Sequence, residues 1–248
     1  MKYKKNLCFF LILLFLLTVL PAGCSGKKLT PEELLEKSSQ ISGFRALVSE
    51  NMTVDTGSSE SKAVYAGNLE AAGSVRHIRG NCKYGKREQI PEHYLQPTPG
   101  KSGHLDIYSY KTEDDIWKIS ERLGEIHGID EFLGKLRSVE LQPYEKDDQE
   151  YVIKASADFL DVNHLGMTTF TGSPFATVVE AMAKNEYPMN AEFVISARTG
   201  LLTSAEFVLA EPAEVPGKTV KDLVIRLQFT DMSLADLQIP EEIISGAF

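Results

Sequence analysis

The residue with the clearest chemistry in the sequence is Cys24, which follows a short apolar segment close to the N-terminus. That segment begins with three lysines, Lys2, Lys4 and Lys5. An apolar run from Leu7 to Leu17 comes next, and the small residues Ala22-Gly23 lead directly into the cysteine. A basic start, an apolar stretch and small residues before a cleavage site are typical of an export signal. The pattern predicts that residues 1–23 are a lipoprotein signal peptide and that the Cys24 thiol carries lipid, with Pro21 as a departure from the usual lipoprotein box.

A membrane-spanning helix is the alternative interpretation of this segment. The run from Leu7 to Val19 falls short of the roughly 20 apolar residues that cross about 30 Å of hydrocarbon, so export with lipidation is favoured. Diacylglycerol on Cys24 supplies two acyl chains, and two chains give stable anchoring where one gives only reversible binding. The sequence therefore predicts a protein anchored on the extracytoplasmic face of the cell membrane, with residues 24–29 as a lipidated cysteine and short tether.

The charge of the chain limits its partners. Its formal net charge is −9, and loss of the three leader lysines takes this to −12. An acidic surface disfavours nucleic acid and anionic lipid as partners, so contact with the membrane is expected through the acyl chains on Cys24. Cys8 leaves with the signal peptide, which makes Cys82 the one remaining free thiol and excludes an intramolecular disulfide.

The sequence contains no motif for catalysis, metal binding or cofactor binding. Gly100-Lys101-Ser102 is similar to part of a phosphate-binding loop, but Leu95 stands where that loop needs another glycine. The acidic runs at Glu113–Asp115 and Asp147-Asp148 fall in expected hairpin turns, where solvated carboxylates are usual. The five histidines are scattered along the chain: His77, His93, His104, His127 and His164. We therefore predict no enzyme activity, no metal site and no cofactor.

The elements that would position a binding site are mainly strands. Thr30-Pro31-Glu32-Glu33 is a capping box with proline at the first helical position, which predicts a helix through about Gln40. From Phe44 to Asp55 apolar and polar residues alternate, as in a half-buried strand. Further strands are predicted at Val75–Tyr84, Arg87–Leu95, Leu105–Lys111, Ile116–Glu121, Val139–Tyr144 and Tyr151–Ala157.

Two more helices and a terminal group of strands complete the predicted domain. Helical periodicity indicates helices at Ile129–Arg137 and Ser173–Asn185. A hairpin and a last strand at Leu223–Phe229 follow, and Ile239-Pro240-Glu241-Glu242 is expected to end the ordered chain. The separators between strands are short and turn-like, as in an antiparallel meander. Because no linker divides residues 30–248, we predict a single α+β domain that is mainly β.

Several pieces of the sequence together resemble the LolA/LppX-like superfamily of envelope lipoproteins and lipoprotein carriers, and the likeness covers most of Leu29–Ile244. They are Thr30-Pro31-Glu32-Glu33-Leu34-Leu35, Tyr108 with Trp117 in adjacent strands, Thr199-Gly200-Leu201-Leu202, and Ile239-Pro240-Glu241-Glu242. The aspartate often found before the Thr-Gly turn is missing, since Ser196 and Ala197 stand there. The resemblance implies a strongly curved antiparallel sheet, an incomplete barrel covered by a few helices, whose apolar concave face binds acyl chains.

On this resemblance we expect a membrane-anchored, non-enzymatic lipoprotein that binds a lipid or acyl chain in the concave face of the sheet. The expected lining residues are Phe44, Val48, Ile107, Trp117, Phe175, Val179, Met182, Phe193 and Phe207. The alternative is that the same side chains pack as a closed core with no ligand cavity. The acidic surface would then engage another envelope protein. An envelope hydrolase is a third hypothesis, supported only by scattered Ser, His and Asp residues.

Overall fold

The structure, a computed structural model of the full chain, describes residues 30–142, 150–166 and 175–248. The predicted signal peptide, Cys24 and its tether, the acidic turn at Asp147-Asp148 and Ser173-Pro174 lie outside the described residues. Residues Pro31–Phe248 form one compact unit. Within the described ranges, no helix is long and apolar enough to cross a membrane.

Thirteen antiparallel strands of the described chain form one sheet. The N-terminal strands are β1 (Gly43–Asp55), β2 (Glu60–Ala72), β3 (Val75–Tyr84), β4 (Arg87–Gln89), β5 (Glu92–Pro97), β6 (His104–Lys111) and β7 (Ile116–Leu123). The C-terminal strands are β8 (Arg137–Gln142), β9 (Glu150–Asp158), β10 (Pro188–Ser196), β11 (Leu202–Leu209), β12 (Ala213–Val215) and β13 (Lys218–Asp231).

The strands pair in the order β7-β6-β5-β3-β2-β1-β13-β11-β10-β9-β8, with β4 beside β3 and β12 beside β13. The two halves of the chain therefore meet where β1 pairs with β13. The sheet does not close on itself, and β7 and β8 are its edges. This confirms the prediction of a curved antiparallel sheet that forms an incomplete barrel.

Five short helices accompany the sheet in the described chain: α1 (Pro31–Ser39), α2 (Ile129–Gly134), α3 (Phe159–His164), α4 (Ala176–Met182) and α5 (Glu241–Gly246). The helix expected after Thr30 is confirmed. The prediction for α2 was too long, because Lys135 ends the helix and Arg137 already begins β8. The sequence pattern did not predict α3, whose six residues are too few to show a helical period.

One face of the sheet is buried under helices. In β1, Phe44, Ala46 and Val48 are buried whereas Arg45 and Leu47 between them are exposed, as the alternation predicted. Helices α1 to α4 pack on the buried face through Leu34, Phe132, Val162 and Met182. Since full burial of one such side chain contributes about 1.5–3 kcal/mol, the apolar face of the sheet holds these helices in place.

The C-terminal helix packs on the opposite face of β5 to β7. Ile239 and Ile243 are buried there with Tyr108, beside the partly buried Trp117. The expectation that Ile239-Pro240-Glu241-Glu242 ends the ordered chain was wrong. Pro240 is instead the N-cap of α5, and the first turn carries two acidic residues, which are stabilising at the positive end of a helix.

Proline and glycine explain two further differences from the predicted strands. The single strand expected at Arg87–Leu95 is divided into β4 and β5, because Pro91 has no N–H to donate to the ladder. The last strand starts at Lys218 rather than Leu223. Gly217, with a φ of +73°, makes the tight turn that pairs β12 with the start of β13.

A pair of glycines makes room for a buried tyrosine in the middle of β2 and β3. Gly67 and Gly80 are register partners. A Cβ placed on them would come 2.3 Å and 2.5 Å, respectively, from the hydroxyl oxygen of Tyr65. Tyr65 is fully buried, and burial raises the pKa of its phenol well above the usual value. The tyrosine therefore stays neutral and acts as part of the core.

The accessibility of Cys82, which the sequence left open, is settled by its place beside Tyr65. The two residues are register partners on β2 and β3, and Cys82 is buried. Burial raises the pKa of the thiol to about 11. A thiol that remains protonated and inaccessible is a poor nucleophile, so Cys82 serves as a small core residue.

Candidate functional site

Side chains fill the concave face of the sheet. Phe132 of α2 packs edge-on against Phe207 of β11, with ring centroids 5.6 Å apart, and Phe207 packs edge-on against Phe193 of β10 at 5.8 Å. The void that remains among these rings and their described neighbours measures about 10 Å³. Ligand pockets measure roughly 300–1,000 Å³. An acyl chain therefore has no room at this position in the present arrangement of side chains.

The structure divides the nine residues that were predicted to contact a ligand. Five lie in the filled interior: Phe44, Val48, Met182, Phe193 and Phe207. Two, Ile107 and Val179, line a separate groove. Phe175 lines another cavity and Trp117 lies on the outer face of the sheet. The predicted residues are therefore not brought together as one site.

The candidate ligand site is the groove between the β5–β7 part of the sheet and helices α3 and α4. Its volume is about 540 Å³, within the range of ligand pockets. Its apolar lining consists of Leu95, Leu105, Ile107, Leu123, Ile126, Leu160, Ala176, Val179 and Ala183. Leu95 and Ile107 are register partners that enter the groove from the sheet, while Val179 enters from α4. We call this space the lateral groove.

Charged and polar side chains also line the lateral groove. Arg122 of β7 and Glu180 of α4 form a hydrogen-bonded ion pair that joins its two sides. Lys184 adds a second cation to the lining, and Asn163 and His164 add polar groups. Both partners of the ion pair are substantially exposed, and such pairs contribute only about 0–1 kcal/mol. Separating them to admit a ligand would therefore cost little.

Trp117 cannot share a cavity with Ile107. Side chains alternate across a strand, and the register of the β6–β7 hairpin places Trp117 opposite Tyr110. Its ring contacts Tyr110 and Tyr94, with centroids 5.4 Å and 5.7 Å away. These residues lie on the outer face, whereas Ile107 lies on the inner one. Trp117 therefore lies outside the lateral groove.

Phe175 lines a cavity of about 560 Å³ near the β1–β2 turn. Its ring lies edge-on to Tyr84, with centroids 6.5 Å apart. Three lysines, Lys62, Lys83 and Lys218, also line this space. Because Phe175 alone of the nine predicted residues lies there, and because long cationic side chains surround it, this cavity is a weaker candidate for an apolar ligand than the lateral groove.

A buried arginine fixes one end of the lateral groove. Arg76 of β3 is 1% exposed and donates hydrogen bonds only to backbone carbonyls in the described chain. Its Nε donates to the oxygen of Leu165 at 2.9 Å, and its Nη2 donates to the oxygen of His127 at 2.7 Å. Burial lowers its pKa to about 10, so the side chain remains charged at neutral pH. Arg76 thus ties the segments before α2 and after α3 to the sheet.

The histidines of the sheet do not converge. His77 lies on the outer face, stacked on Tyr94 with ring centroids 4.2 Å apart. His93 lies on the inner face, where its Nδ1 is 2.9 Å from the hydroxyl of Ser109. Burial, together with the nearby charges of Lys111 and Arg122, lowers the pKa of His93 to about 4. This residue is therefore a neutral core group.

Two other histidines come together in a way that the sequence did not predict. In the described residues, Glu125, His127 and His164 place one ligand atom each within 4.8 Å of one another. His127 is buried, and the rings of the two histidines lie edge to face with centroids 4.4 Å apart. The two histidines are far apart in sequence with no metal-binding spacing, so no motif signals the cluster. Only the fold reveals it.

The chain is similar to several solved structures at low identity. A DUF1329 family protein from Desulfovibrio piger matches with a TM-score of 0.33 and 9% identity, over 86% of this chain and 94% of the other. A LolA superfamily protein from Nitrosomonas europaea matches with a TM-score of 0.27 and 14% identity, over 87% and 97%. A putative outer membrane lipoprotein-sorting protein domain from Vibrio parahaemolyticus matches with a TM-score of 0.27 and 9% identity, over 87% and 96%. No protein-family model and no curated protein matches the chain.

With identities of 9–14% and TM-scores of 0.33 and below, the likeness does not transfer a function, a ligand or a location. Those properties depend on the residues of this chain.

Proposed function

We propose that the protein is a lipid-anchored, non-enzymatic protein of the bacterial cell envelope that binds one acyl chain in the lateral groove. The observation that carries this proposal is the groove itself, with a volume of about 540 Å³ and nine apolar lining residues. All nine are aliphatic, which suits a flexible hydrocarbon chain better than a flat aromatic ring. Burial of a hydrocarbon chain contributes about 0.8 kcal/mol for each CH₂ removed from water.

The polar lining residues supply a place for the head group of such a ligand. Arg122 and Lys184 both line the groove, and a guanidinium group pairs well with a carboxylate or phosphate. An anionic head group would compete with Glu180 for Arg122. The proposed ligand is therefore a fatty acid or an acyl chain with an anionic head.

The anchor and the location belong to the same proposal. The basic and apolar leader, followed by Cys24, supports removal of residues 1–23 and lipidation of the new N-terminus. Residues 24–29 would then join the lipid to the domain that follows. A tether this short would keep the lateral groove close to a source of acyl chains, on the extracytoplasmic face of the cell membrane.

A second candidate function is favoured by the filled interior. The void of about 10 Å³ beneath the sheet fits the closed-core alternative, in which the domain engages another envelope protein. Leu123, which is 82% exposed, lies at the groove and would then contact the partner. This alternative predicts that the groove takes up no acyl chain.

Native mass spectrometry of the full chain, released from detergent micelles after incubation with palmitate, tests the two functions. We expect a saturable complex with one palmitate per chain. Ala183→Trp should abolish it, because the indole would occupy the groove that Ala183 lines. Ala210→Trp is the matched control, since Ala210 is exposed and lies outside the groove. The control should bind palmitate as the wild type does.

The outcomes separate the hypotheses. Loss of palmitate binding in Ala183→Trp alone supports the lateral groove as the binding site. A wild-type chain that stays without palmitate at saturating concentration refutes the acyl-chain function and favours the interaction module. Equal binding by Ala183→Trp and the wild type places the ligand elsewhere and refutes the assignment of the groove.

A further inference from the structure

We infer that Glu125, His127 and His164, together with Glu131, form a binding site for a divalent transition metal ion such as Zn²⁺. Glu125 and His127 precede α2, Glu131 lies within α2, and His164 is the last residue of α3. The site lies at the wall of the lateral groove, because Glu125 and His164 also line that groove. It does not depend on the proposed acyl-chain function.

The distances around Nε2 of His127 match those between neighbouring ligand atoms of a metal ion. Glu125 Oε2 lies 3.2 Å from this nitrogen, and Glu131 Oε1 lies 3.3 Å from it. An imidazole nitrogen carries at most one hydrogen, so it cannot satisfy both carboxylates. In a tetrahedral zinc site with bonds of about 2.0–2.1 Å, neighbouring ligand atoms lie roughly 3.3 Å apart. The two distances from Nε2 of His127 to the carboxylate oxygens already match this spacing.

His164 supplies a second, independent observation. Its Nδ1 is buried and has no hydrogen-bond partner within the described residues, and the same holds for Oδ1 of the adjacent Asn163. Buried polar atoms are rarely left without a partner, and a cation bound beside His164 would accept the lone pair of its ring nitrogen. One ring nitrogen of His164 lies within 4.8 Å of the ligand atoms of Glu125 and His127, so a small movement would bring it into coordination.

The backbone holds the two histidines together before any metal binds. The amide of His127 donates to the carbonyl oxygen of His164 at 2.9 Å. Arg76 then bonds to the carbonyl oxygens of His127 and Leu165 at once. Because these bonds fix the relative position of both histidines, the chain loses little conformational entropy when a metal ion binds, and Glu125 needs to move only a flexible, exposed side chain.

Metal binding would change the contacts of Lys135. Its Nζ lies 3.0 Å from Nδ1 of His127, and an ammonium group can only donate, so Nδ1 is the acceptor and Nε2 carries the hydrogen. Coordination through Nε2 transfers that hydrogen to Nδ1, with no change in the number of protons on the ring. Lys135 then gives up this contact and keeps its ion pair with Asp161, 3.2 Å away.

The ligand set defines the class of metal. Two imidazoles with one or two carboxylates suit Zn²⁺, Ni²⁺ or Cu²⁺, whereas Ca²⁺ and Mg²⁺ prefer sites built from oxygen alone. Zinc is the natural probe because it has no redox chemistry and accepts tetrahedral nitrogen and oxygen ligands. The side chains of Glu125 and Glu131 are more than half exposed, which gives the ion a path of entry.

The test uses the full chain in detergent, stripped of metal with EDTA and dialysed against Zn²⁺, with bound zinc measured by atomic absorption. We expect saturable binding of one Zn²⁺ per chain. His164→Gln and Glu125→Gln should each weaken the affinity by about 100-fold or more, since loss of an outer-sphere partner alone costs about 10–100-fold. His104→Gln is the control, because His104 lies outside the cluster and pairs with Glu121.

A cobalt measurement guards against binding through surface groups. Co²⁺ in place of Zn²⁺ should give the intense visible absorption of a four-coordinate site with nitrogen and oxygen ligands, and His164→Gln should remove it. Absence of saturable zinc binding in the wild type would overturn the inference. The inference would also be overturned if His164→Gln and Glu125→Gln both bound zinc with the same affinity as His104→Gln.

Discussion

Replacement of Arg76 by methionine offers the sharpest test of how the lateral groove is built. The change keeps a long, unbranched side chain at a position that is 1% exposed. It removes the hydrogen bonds from Arg76 to the buried carbonyl oxygens of Leu165 and His127, together with those to the partly buried oxygens of Gly73 and Val75. The segments before α2 and after α3 would then lose their attachment to β3.

The expected loss of stability follows from the two buried carbonyl groups. A buried acceptor that loses its partner costs about 1–3 kcal/mol, so the two together cost about 2–6 kcal/mol. Removal of a buried charge offsets part of this, since burial already lowers the pKa of Arg76 to about 10. We expect the free energy of unfolding to fall by about 2–4 kcal/mol, a large fraction of the roughly 5–15 kcal/mol that stabilises a typical domain.

Urea unfolding and amide hydrogen exchange measure the two effects. Arg79→Met is the matched control, because Arg79 lies on the same strand with its side chain 64% exposed, paired only loosely with Glu92. The control should change the free energy of unfolding by no more than about 0.5 kcal/mol. In Arg76→Met the amide of His127 should also lose protection from exchange. A loss below about 1 kcal/mol, or unchanged protection at His127, would refute the role given to Arg76.

Three further changes test other parts of the protein. Cys24→Ser should release the chain from membranes or leave it uncleaved, because no thiol remains to be acylated. Cell fractionation and intact-mass measurement test this, and normal processing with membrane retention would contradict the lipoprotein assignment. Gly67→Ala should lower the free energy of unfolding by about 1–3 kcal/mol, because its Cβ would come 2.3 Å from the Tyr65 hydroxyl. If urea unfolding shows the same stability as the wild type, this close approach is ruled out. His93 has a pKa of about 4 in the folded chain and about 6.5 when unfolded, so the unfolded chain takes up the proton first as the pH falls. Its contribution to stability is complete above pH 6.5 and declines toward pH 4, by about 2 kcal/mol at pH 5. Between pH 7 and pH 5, the free energy of unfolding in urea should therefore fall less for His93→Gln than for the wild type. An equal fall in both proteins would argue against a buried neutral histidine.

The alternation of residues was enough to predict most strands, whereas the open, curved sheet was expected from the resemblance. In β1, the period of two identifies both the strand and its buried face, because side chains point to opposite faces of the pleat. The helix after Thr30 was predictable from its cap. By contrast, α3 is too short to show a period, and the break at Pro91 required knowledge of which N–H groups the ladder needs.

The site was harder to predict than the fold. Sequence alone shows that Ile107 and Trp117 belong to strands, but only the hairpin register shows that they lie on opposite faces. Apolar residues such as Phe193 look the same whether they line a cavity or fill it. The convergence of His127 with His164 depends on tertiary contacts between α2 and α3, and no local spacing encodes such contacts.

The pairing of β1 with β13 has a consequence for the order of folding. Arg45 pairs with Asp231, and Asp55 pairs with Thr219, so the first strand of the domain finds this partner only after the last strand has been synthesised. Each half of the sheet consists largely of hairpins between near neighbours in sequence, which form quickly, whereas a pairing across such a loop is slow. Until β13 arrives, β1 remains an unprotected edge that another unfinished chain can pair with. Refolding at high concentration should therefore favour aggregation through β1.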